Sequence, residues 1–375
     1  MGWSFRIATV AGIPIRIHIT FFLILVLGGV QWGQMTGTAA GAVFGVVLMA
    51  LLFVCVVLHE LGHSVVAQAF GIPVRQIVLL PLGGVAQISK NPEKPLHEFL
   101  IAVAGPAVNV VIALLLLLGL GMGGLPTILN QRGLLPSDLG NTPTVTTLLL
   151  WLLSANVSLV LFNLIPAFPL DGGRIFRSLL AFFTGYKRAT RVAAGLGQLI
   201  AIGLGVYGVV NSHFVLTLVA VFVFLGAGQE TAESQARTVL DTLRVGDAYN
   251  KYALTLAVGD RVSRVVDYIL TSYQPDFAVL QGRTLLGIVT RDDVLRALHS
   301  GPADAAVTEI MERNVPRVEA GRTLDQVRGY LQELGARVAA VYEGDSYLGL
   351  VSLGDIQEAL AVQTFVQRQK MTNDA

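Results

Sequence analysis

The sequence contains very little cysteine and few charged residues. Cys55 is the single cysteine in 375 residues, so the chain cannot form an internal disulfide bond. Asp, Glu, Lys and Arg make up only 14% of the chain, against about a quarter in soluble domains. The net charge of +1 provides no basic field of the kind that attracts nucleic acid. The composition therefore excludes a disulfide scaffold and predicts no nucleic-acid partner.

The basic residues are unevenly distributed along the chain. Residues 1–230 contain 11 of the 26 Lys and Arg residues, and residues 231–375 contain the other 15. A helix needs about 20 apolar residues to cross a bilayer. The first part has candidate runs at roughly 17–36, 40–69, 98–121, 145–166, 192–211 and 214–230. We therefore predict a membrane-embedded first part with about six transmembrane helices and a second part that resembles a soluble domain.

The basic residues between the predicted spans also indicate the orientation. With the N-terminus inside, ten Lys and Arg residues fall in inner segments and only Arg132 falls in an outer loop. The positive-inside rule then predicts that both termini are cytoplasmic. Because the N-terminus lacks a convincing signal-peptide cleavage site, the first run is interpreted as a retained helix that His18 opens.

Two histidines and a glutamate interrupt the second apolar run, as His59-Glu60-Leu61-Gly62-His63. Each ionisable group costs about 2–3 kcal/mol or more at the bilayer centre, so such groups persist where they have partners and a function. Positions i and i+4 share one face of a helix, so His59 and His63 can bind one metal ion. Glu60 can then act on a metal-bound water as a general base. A chance match is the alternative, which the apolar setting disfavours.

A catalytic zinc site uses three protein ligands and a water, so one ligand is missing from this pentapeptide. Asp171 is the best candidate because it follows an apolar span that ends at the same predicted depth. Pro166 and Pro169 break that helix, and the glycines at 172–173 allow close backbone approach. The alternative is a loop carboxylate near Arg174. Cys55, one turn before His59, is interpreted as a small core residue, although a metal role is conceivable.

Residues 77–88 are too short to cross a membrane as a helix and contain a Pro-Leu-Gly-Gly sequence. Two apolar runs around such a turn predict a β-hairpin. An extended peptide could join its unpaired edge as an added strand. Leu82, Gly83, Gly84 and Val85 are therefore candidate substrate-binding residues. An ordinary interfacial loop is the alternative.

The second part contains an internal repeat with an offset of 62 residues. Matching positions include Val245 with Val307, Gly287 with Gly349, Thr290 with Ser352 and Asp293 with Asp355. Each repeat is predicted to fold as strand, helix, strand, strand, helix. Two such units would pack into one pseudo-symmetric α/β domain.

The pentapeptide, together with Asn163-Leu164-Ile165-Pro166-Ala167-Phe168-Pro169-Leu170-Asp171-Gly172-Gly173, closely resembles the site-2 protease family of intramembrane zinc metalloproteases. The resemblance covers about residues 10–230 and implies one Zn²⁺ bound by His59, His63 and Asp171. It also implies that Glu60 is the general base and that Asn163 orients the substrate or stabilises the oxyanion. The hairpin is similar to the family's re-entrant loop. Gly105 and Asn109, in a segment similar to one of the family's third helix, are expected to pack helices.

Residues 240–362, approximately, resemble a tandem pair of CBS domains. The resemblance rests on Gly287-Ile288-Val289-Thr290-Arg291-Asp292-Asp293 and its counterpart Gly349–Asp355. It implies that ATP, ADP or AMP contacts Thr290, Asp293, Ser352 and Asp355, and that the CBS domains can form a homodimer. The alternative is that Thr290 and Ser352 only cap the helices that follow.

Together these features predict a polytopic α-helical membrane protein with a re-entrant β-hairpin, followed by a cytoplasmic α/β tandem CBS domain. The predicted segments are a protease domain at 1–230, a linker at 231–243, CBS repeats at 244–300 and 305–362, and a tail at 363–375. The predicted activity is zinc-dependent cleavage of membrane-anchored proteins within or near their transmembrane segment, in a prokaryotic plasma membrane. The cytoplasmic CBS pair is predicted to modulate this activity by sensing an adenine nucleotide. A CBS-regulated metal-ion transporter and an inactive protease-like scaffold are the alternatives.

Overall fold

The structure is a computed structural model that describes residues 4–80, 83–88, 92, 94–121, 142–272, 274–300 and 304–373. The chain divides into two compact units, Met1–Ser234 and Gln235–Ala375. The boundary between the units falls within a single helix, Phe214–Thr242. Residues 231–242, predicted to be a linker, are therefore helical.

Apolar helices make up most of the first unit. They are α1 Phe21–Thr36, α2 Ala39–Ala69, α3 Pro95–Leu120, α4 Val145–Asn163, α5 Asp171–Thr184, α6 Tyr186–Val210 and α7 Phe214–Thr242. In the described part of the chain, α2, α3, α4, α6 and α7 are long and apolar enough to cross a membrane. Helix α1 has 16 residues, or about 24 Å, which is shorter than the ~30 Å bilayer core. The predicted count of about six spans is therefore not confirmed.

A four-stranded sheet accompanies these helices, with strands β1 Ser4–Val10, β2 Ile13–His18, β3 Val74–Leu80 and β4 Gly83–Ile88 in the order β1-β2-β3-β4. The predicted hairpin corresponds to β3 and β4, which pair antiparallel. The prediction that His18 opens a helix was wrong, because His18 ends β2. Ile13, Ile15 and Ile17 recur at every second position, which is the period of a strand. Since β2 pairs with β3, β4 is the free edge of the hairpin among the residues that the structure describes.

The sheet packs against the helix that carries the histidine motif. Ile13 and Ile15 of β2 and Ile77 of β3 share a buried cluster with Leu61 of α2 and Ile101 of α3. Burial of these apolar side chains fixes the sheet against α2 and α3. The edge strand β4 is thereby held close to the predicted site.

The second unit contains the predicted repeat. The first repeat comprises α8 Val245–Ala248, β5 Thr255–Ala257, α9 Val262–Thr271, β6 Asp276–Gln281, β7 Thr284–Thr290 and α10 Arg291–Ser300. The second comprises α11 Val307–Ile310, β8 Arg317–Glu319, α12 Leu324–Leu334, β9 Val338–Glu343, β10 Ser346–Ser352 and α13 Leu353–Asn373. Each strand of the second repeat begins 62 residues after its counterpart. The predicted order of strand, helix, strand, strand, helix is confirmed in both repeats.

The two repeats share part of their core. Ala278 and Ile288 of the first repeat pack with Val338, Ala340 and Leu350 of the second. The strands form two three-stranded sheets, β5-β6-β7 and β10-β9-β8. This is the predicted pseudo-symmetric α/β domain. Residues 363–373, predicted to be a tail, continue helix α13.

Candidate metal centre

The side chains of His59, His63 and Asp171 converge at one buried point. The two Nε2 atoms are 3.1 Å apart, and Asp171 Oδ2 lies 3.2 Å from His59 Nε2 and 3.3 Å from His63 Nε2. The three residues are 7%, 5% and 9% exposed. Among the residues that the structure describes, they are the one cluster of three or more His, Cys, Asp and Glu side chains with metal-binding spacing.

Both imidazoles are oriented by hydrogen bonds that they donate to acceptors on α3. His59 Nδ1 is 3.0 Å from Asn109 Oδ1, and His63 Nδ1 is 2.7 Å from the carbonyl oxygen of Ile101. Both partners only accept, so each Nδ1 carries the hydrogen and each Nε2 presents a lone pair to the cluster. Two lone pairs and a carboxylate oxygen therefore face one another in a buried space. This donor set is suited to a zinc ion, since the oxygen concerned has no hydrogen-bond partner of its own.

Gly105 provides the space for the two rings. A Cβ atom at this position would overlap His63 Nε2 and would lie 2.8 Å from His59 Cε1. Asn109, one turn later on the same helix, is completely buried. Gly105 and Asn109 were predicted to pack helices rather than to bind the metal, and in the structure both lie against the predicted ligands. An asparagine within an apolar span was the signal that could have indicated a functional partner.

Asp171 is the first residue of α5, and this helix was not predicted from the sequence. The glycines after it were interpreted as sites of close backbone approach, and they do pack closely. A Cβ atom at Gly172 would overlap the carbonyl group of Leu164, and one at Gly173 would lie 2.6 Å from the Phe168 nitrogen. The helix therefore folds tightly against the turn before it, which directs Asp171 into the bundle.

Glu60 follows His59 on α2 and is half-buried. Gly84 of β4 lies against it, since a Cβ atom at residue 84 would be 2.5 Å from Glu60 Cγ and 3.3 Å from Glu60 Oε1. Any larger residue at 84 would push the carboxylate aside. Glu60, the predicted general base, therefore lies on the ligand-bearing helix α2 and contacts the edge strand β4.

The other residues predicted for this site lie on α4 and β4. Asn163 is the last residue of α4 and is half-buried. Gly83 begins β4, and Val85, on the same strand, is 48% exposed. Leu82 lies outside the described residues. Cys55 belongs to a buried apolar cluster with Trp32, Leu48 and Leu152, in agreement with its interpretation as a core residue.

The two CBS motifs have the same local geometry. Asp293 Oδ2 accepts hydrogen bonds from Thr290 N at 2.9 Å and Thr290 Oγ1 at 2.7 Å. Asp355 Oδ2 accepts from Ser352 N at 2.7 Å and Ser352 Oγ at 2.8 Å. Each hydroxyl oxygen also accepts from the backbone N–H of its aspartate, as a helix cap does. Thr290 and Ser352 therefore cap the helices that follow them.

A cavity of about 330 Å³ lies beside the first motif, lined by residues 269–272, Gln274, Pro275 and Arg291. Its size falls in the usual range of small-molecule sites, about 300–1,000 Å³. Asp276, the first residue of β6, adjoins this region. Burial, and then the neighbouring Asp355, raise the pKa of Asp276 to about 6. Carboxylates of both repeats thus approach one another near the motifs.

Comparison with known proteins identifies both parts of the chain. Residues 47–206 match the model of peptidase family M50, and residues 307–362 match the CBS domain. A zinc metalloprotease of Methanocaldococcus jannaschii is 32% identical over 366 residues, covering 96% of this chain and 97% of that protein. Stage IV sporulation protein FB of Bacillus subtilis is 26% identical over 212 residues, covering 56% of this chain and 64% of that protein.

One solved structure, a site-2 protease from Methanocaldococcus jannaschii, is 40% identical and covers 61% of this chain and 95% of that chain, with a TM-score of 0.42. Taken together, the apolar helices and the sequence matches define an integral membrane zinc metalloprotease with CBS domains. The chain belongs to peptidase family M50, the family of the site-2 proteases. The predicted family and enzyme class are thereby confirmed, and they favour the protease over the transporter alternative.

Proposed function

We propose that this protein is an intramembrane endopeptidase that cleaves membrane-anchored proteins within or near a transmembrane segment. The observation that carries this proposal is the buried convergence of His59, His63 and Asp171 within 3.3 Å. The two histidines lie on α2, which is long and apolar enough to cross a membrane. Substrates of a site at such a position are themselves expected to be in the membrane.

In this proposal the chain contributes three functions around the metal. His59, His63 and Asp171 would hold a zinc ion, which would serve as the Lewis acid that activates a water and polarises the peptide carbonyl. Glu60 takes the proton of the attacking water and passes it to the leaving amine. Asn163 donates a hydrogen bond to the carbonyl oxygen of the substrate as negative charge develops on it.

We further propose that the substrate binds as an added strand at the free edge of β4. A transmembrane helix protects its carbonyl groups with internal hydrogen bonds, so the helix must unwind before attack. Backbone pairing with Gly83, Gly84 and Val85 would offset part of that cost. The contact between Gly84 and Glu60 supports this proposal, because it brings the edge strand next to the predicted general base. Leu82 is included as a sequence-based candidate.

Substitution of Glu60 tests the protease assignment. Glu60→Gln retains the size of the side chain but cannot accept the proton, so cleavage of a membrane substrate is expected to fall by about 10²- to 10⁴-fold. Zinc content, measured on the purified protein, is expected to stay at the wild-type value because Glu60 is not a proposed ligand. Glu343→Gln, at an exposed position, is the matched control. Undiminished cleavage by Glu60→Gln would refute the assignment.

The CBS unit is proposed to bind an adenine nucleotide through Thr290, Asp293, Ser352 and Asp355 and to modulate cleavage. The cavity beside Arg291 and the matching geometry of the two motifs support this proposal. Calorimetric titration of the full chain with ATP, ADP and AMP should detect binding, which Thr290→Ala and Ser352→Ala should each weaken. No heat with any of the three nucleotides would contradict it.

The orientation of the protein, the membrane that contains it and its oligomeric state are also proposed. Both termini are proposed to be cytoplasmic, in a prokaryotic plasma membrane, since basic residues are concentrated in the inner segments. A reporter enzyme fused to the C-terminus should then be active only if it functions in the cytoplasm. The CBS units are proposed to form a homodimer, which sedimentation of the detergent-solubilised chain would reveal as twice the monomer mass.

A further inference from the structure

The turn that presents Asp171 is enclosed by two other helices. Ala167 and Phe168 are completely or almost completely buried, at 0% and 1% exposure. A Cβ atom at Gly197 of α6 would lie 3.2 Å from Ala167 Cα, and one at Gly226 of α7 would lie 2.6 Å from Pro169 Cδ. Glycines at these two positions allow α6 and α7 to approach the turn closely. The location of Asp171 therefore depends on where α6 and α7 lie.

A single arginine connects this turn to two of its neighbouring helices. Arg177 lies on α5, six residues after Asp171, and is 8% exposed. Its Nε donates to Glu98 Oε1 of α3 at 2.9 Å, and its Nη1 forms an ion pair with Glu230 of α7. The guanidinium carbon lies 4.9 Å from the centre of the Phe168 ring. One side chain thus contacts α3, α7 and the turn before Asp171.

Helix α7 contacts the segment around Asp171 at two points that are one turn apart. Gly226 packs on Pro169, and Glu230, four residues later, pairs with Arg177. Positions i and i+4 lie on the same face of a helix. The same face of α7 therefore contacts both the turn before Asp171 and the helix after it, so displacement of α7 would alter both contacts together.

Glu98, Arg177 and Glu230 form a triad whose geometry requires arginine at the central position. A buried ion pair contributes little net stability compared with apolar packing, so stability alone does not explain the triad. The planar guanidinium presents several donors in a fixed arrangement and can hold two carboxylates while its face lies on an aromatic ring. An ammonium group on a flexible stem cannot reproduce this geometry. Glu98, Arg177 and Glu230 are thus suited to holding three helices in one relative position.

We propose that Arg177 is a positioning residue for Asp171, and that α7 sets the place of this ligand through Gly226 and Glu230. Arg177 does not touch the metal cluster; it acts through the turn and the helix that carry Asp171. The proposal rests on the assignment of Asp171 as the third zinc ligand. These contacts bring Asp171, which lies more than 100 positions after His63, to the two histidines.

The test compares Arg177→Lys with wild type in the full chain reconstituted in lipid. The measured quantities are the rate of zinc release to a chelator and the absorption spectrum of the cobalt-substituted protein. Loss of a group that orients metal ligands typically lowers metal affinity about 10- to 100-fold. If this loss falls on dissociation, Arg177→Lys is expected to release zinc faster by about the same factor. Its cobalt spectrum should differ from that of wild type, a change that general loosening elsewhere would not produce. Arg188→Lys, at an exposed position on α6, should match wild type in both measurements.

Glu230→Gln is the second variant, for the case in which Arg177→Lys does not fold. It leaves Arg177 paired with Glu98 and removes only the charge of Glu230, and it is expected to accelerate zinc release by a smaller factor. Wild-type release rates and spectra in every folded variant of Arg177 and Glu230 would overturn the proposal. Asp171→Asn distinguishes this failure from a failure of the ligand assignment. If that variant holds zinc as tightly as wild type, Asp171 is not a ligand and the premise itself is refuted.

Discussion

Gly105 leaves the space in which the imidazole rings of His59 and His63 pack together. The helical spacing of the two histidines brings them to one face of α2, but spacing alone does not choose their rotamers or tautomers. Asn109 and the carbonyl group of Ile101, both on α3, make that choice. The predicted ligand pair therefore depends on side-chain space and hydrogen bonds from a second helix.

Replacement of Gly105 tests this dependence. A methyl group in Gly105→Ala would overlap His63 Nε2, so one or both rings must move away from Asp171. The affinity for zinc, measured by competition with a chelator, is expected to fall about 10-fold or more. Gly119→Ala, on the same helix, is the matched control because a Cβ atom there meets nothing within 4 Å. Equal zinc affinity in the two variants would contradict the packing argument.

Two elements determine how a substrate could approach the site. The edge strand β4 borders Glu60, and α5 begins with Asp171. The β3–β4 hairpin was predicted from its apolar runs and its turn, whereas its pairing with β2 was not. The Gly-Gly sequence after Asp171 is typical of a turn, so the helix that begins there was not predicted from the sequence. Tight packing against the preceding turn, rather than helix propensity, accounts for these glycines.

A proline in β4 tests strand addition. Val85→Pro removes a backbone N–H and restricts the strand, so cleavage of a membrane-spanning substrate is expected to fall at least about 10-fold. Hydrolysis of a short, already extended peptide should fall less, since it needs no unwinding. The ratio of the two activities is the quantity to measure, with Val85→Thr as control. An unchanged ratio would argue against the β4 edge as the substrate site.

The whole molecule combines a membrane metalloprotease unit with a second unit built from two repeats. The offset of 62 residues recurs in every strand of the second unit. The shared core of Ala278, Ile288, Val338, Ala340 and Leu350 joins the repeats into one domain. Burial, and then the neighbouring Asp355 of the other repeat, raise the pKa of Asp276 to about 6 from an ordinary value of 3.8.

This raised pKa predicts how the stability of the second unit depends on pH. The folded state holds its proton on Asp276 up to about pH 6, whereas the unfolded chain releases it near pH 3.8. The contribution of Asp276 to the free energy of unfolding is therefore expected to fall by about 1–3 kcal/mol as the pH rises from about 3.8 to about 6. Above about pH 6 this contribution changes no further. Amide hydrogen exchange in β6 and β9 measures this change within the full chain.

Asp276→Asn should abolish the decrease and make the second unit more stable than wild type at neutral pH. Asp267→Asn, at an exposed position of α9 in the same repeat, serves as control and should retain the wild-type pH dependence. If Asp276→Asn and wild type lose protection in parallel between pH 4 and pH 6, another group is responsible.

The sequence by itself determined the features that depend on local spacing. The i, i+4 histidines, the apolar runs of membrane length, the hairpin turn and the repeat offset can all be recognised without knowledge of long-range contacts. Even the pairing of Asp171 with the histidines could be predicted, because membrane depth supplies a coordinate that soluble sequences lack.

Only the tertiary structure decided what surrounds and supports these features. The hydrogen bond from His59 to Asn109, the pairing of β2 with β3 and the contacts of Arg177 with Glu98 and Glu230 join residues that are distant in sequence. The helix that starts at Asp171 depends on such contacts. The periodicity of the sequence does not indicate which buried polar groups will pair, because the packing of whole helices determines their partners. The burial that makes an unpaired polar group costly also arises only when those helices assemble.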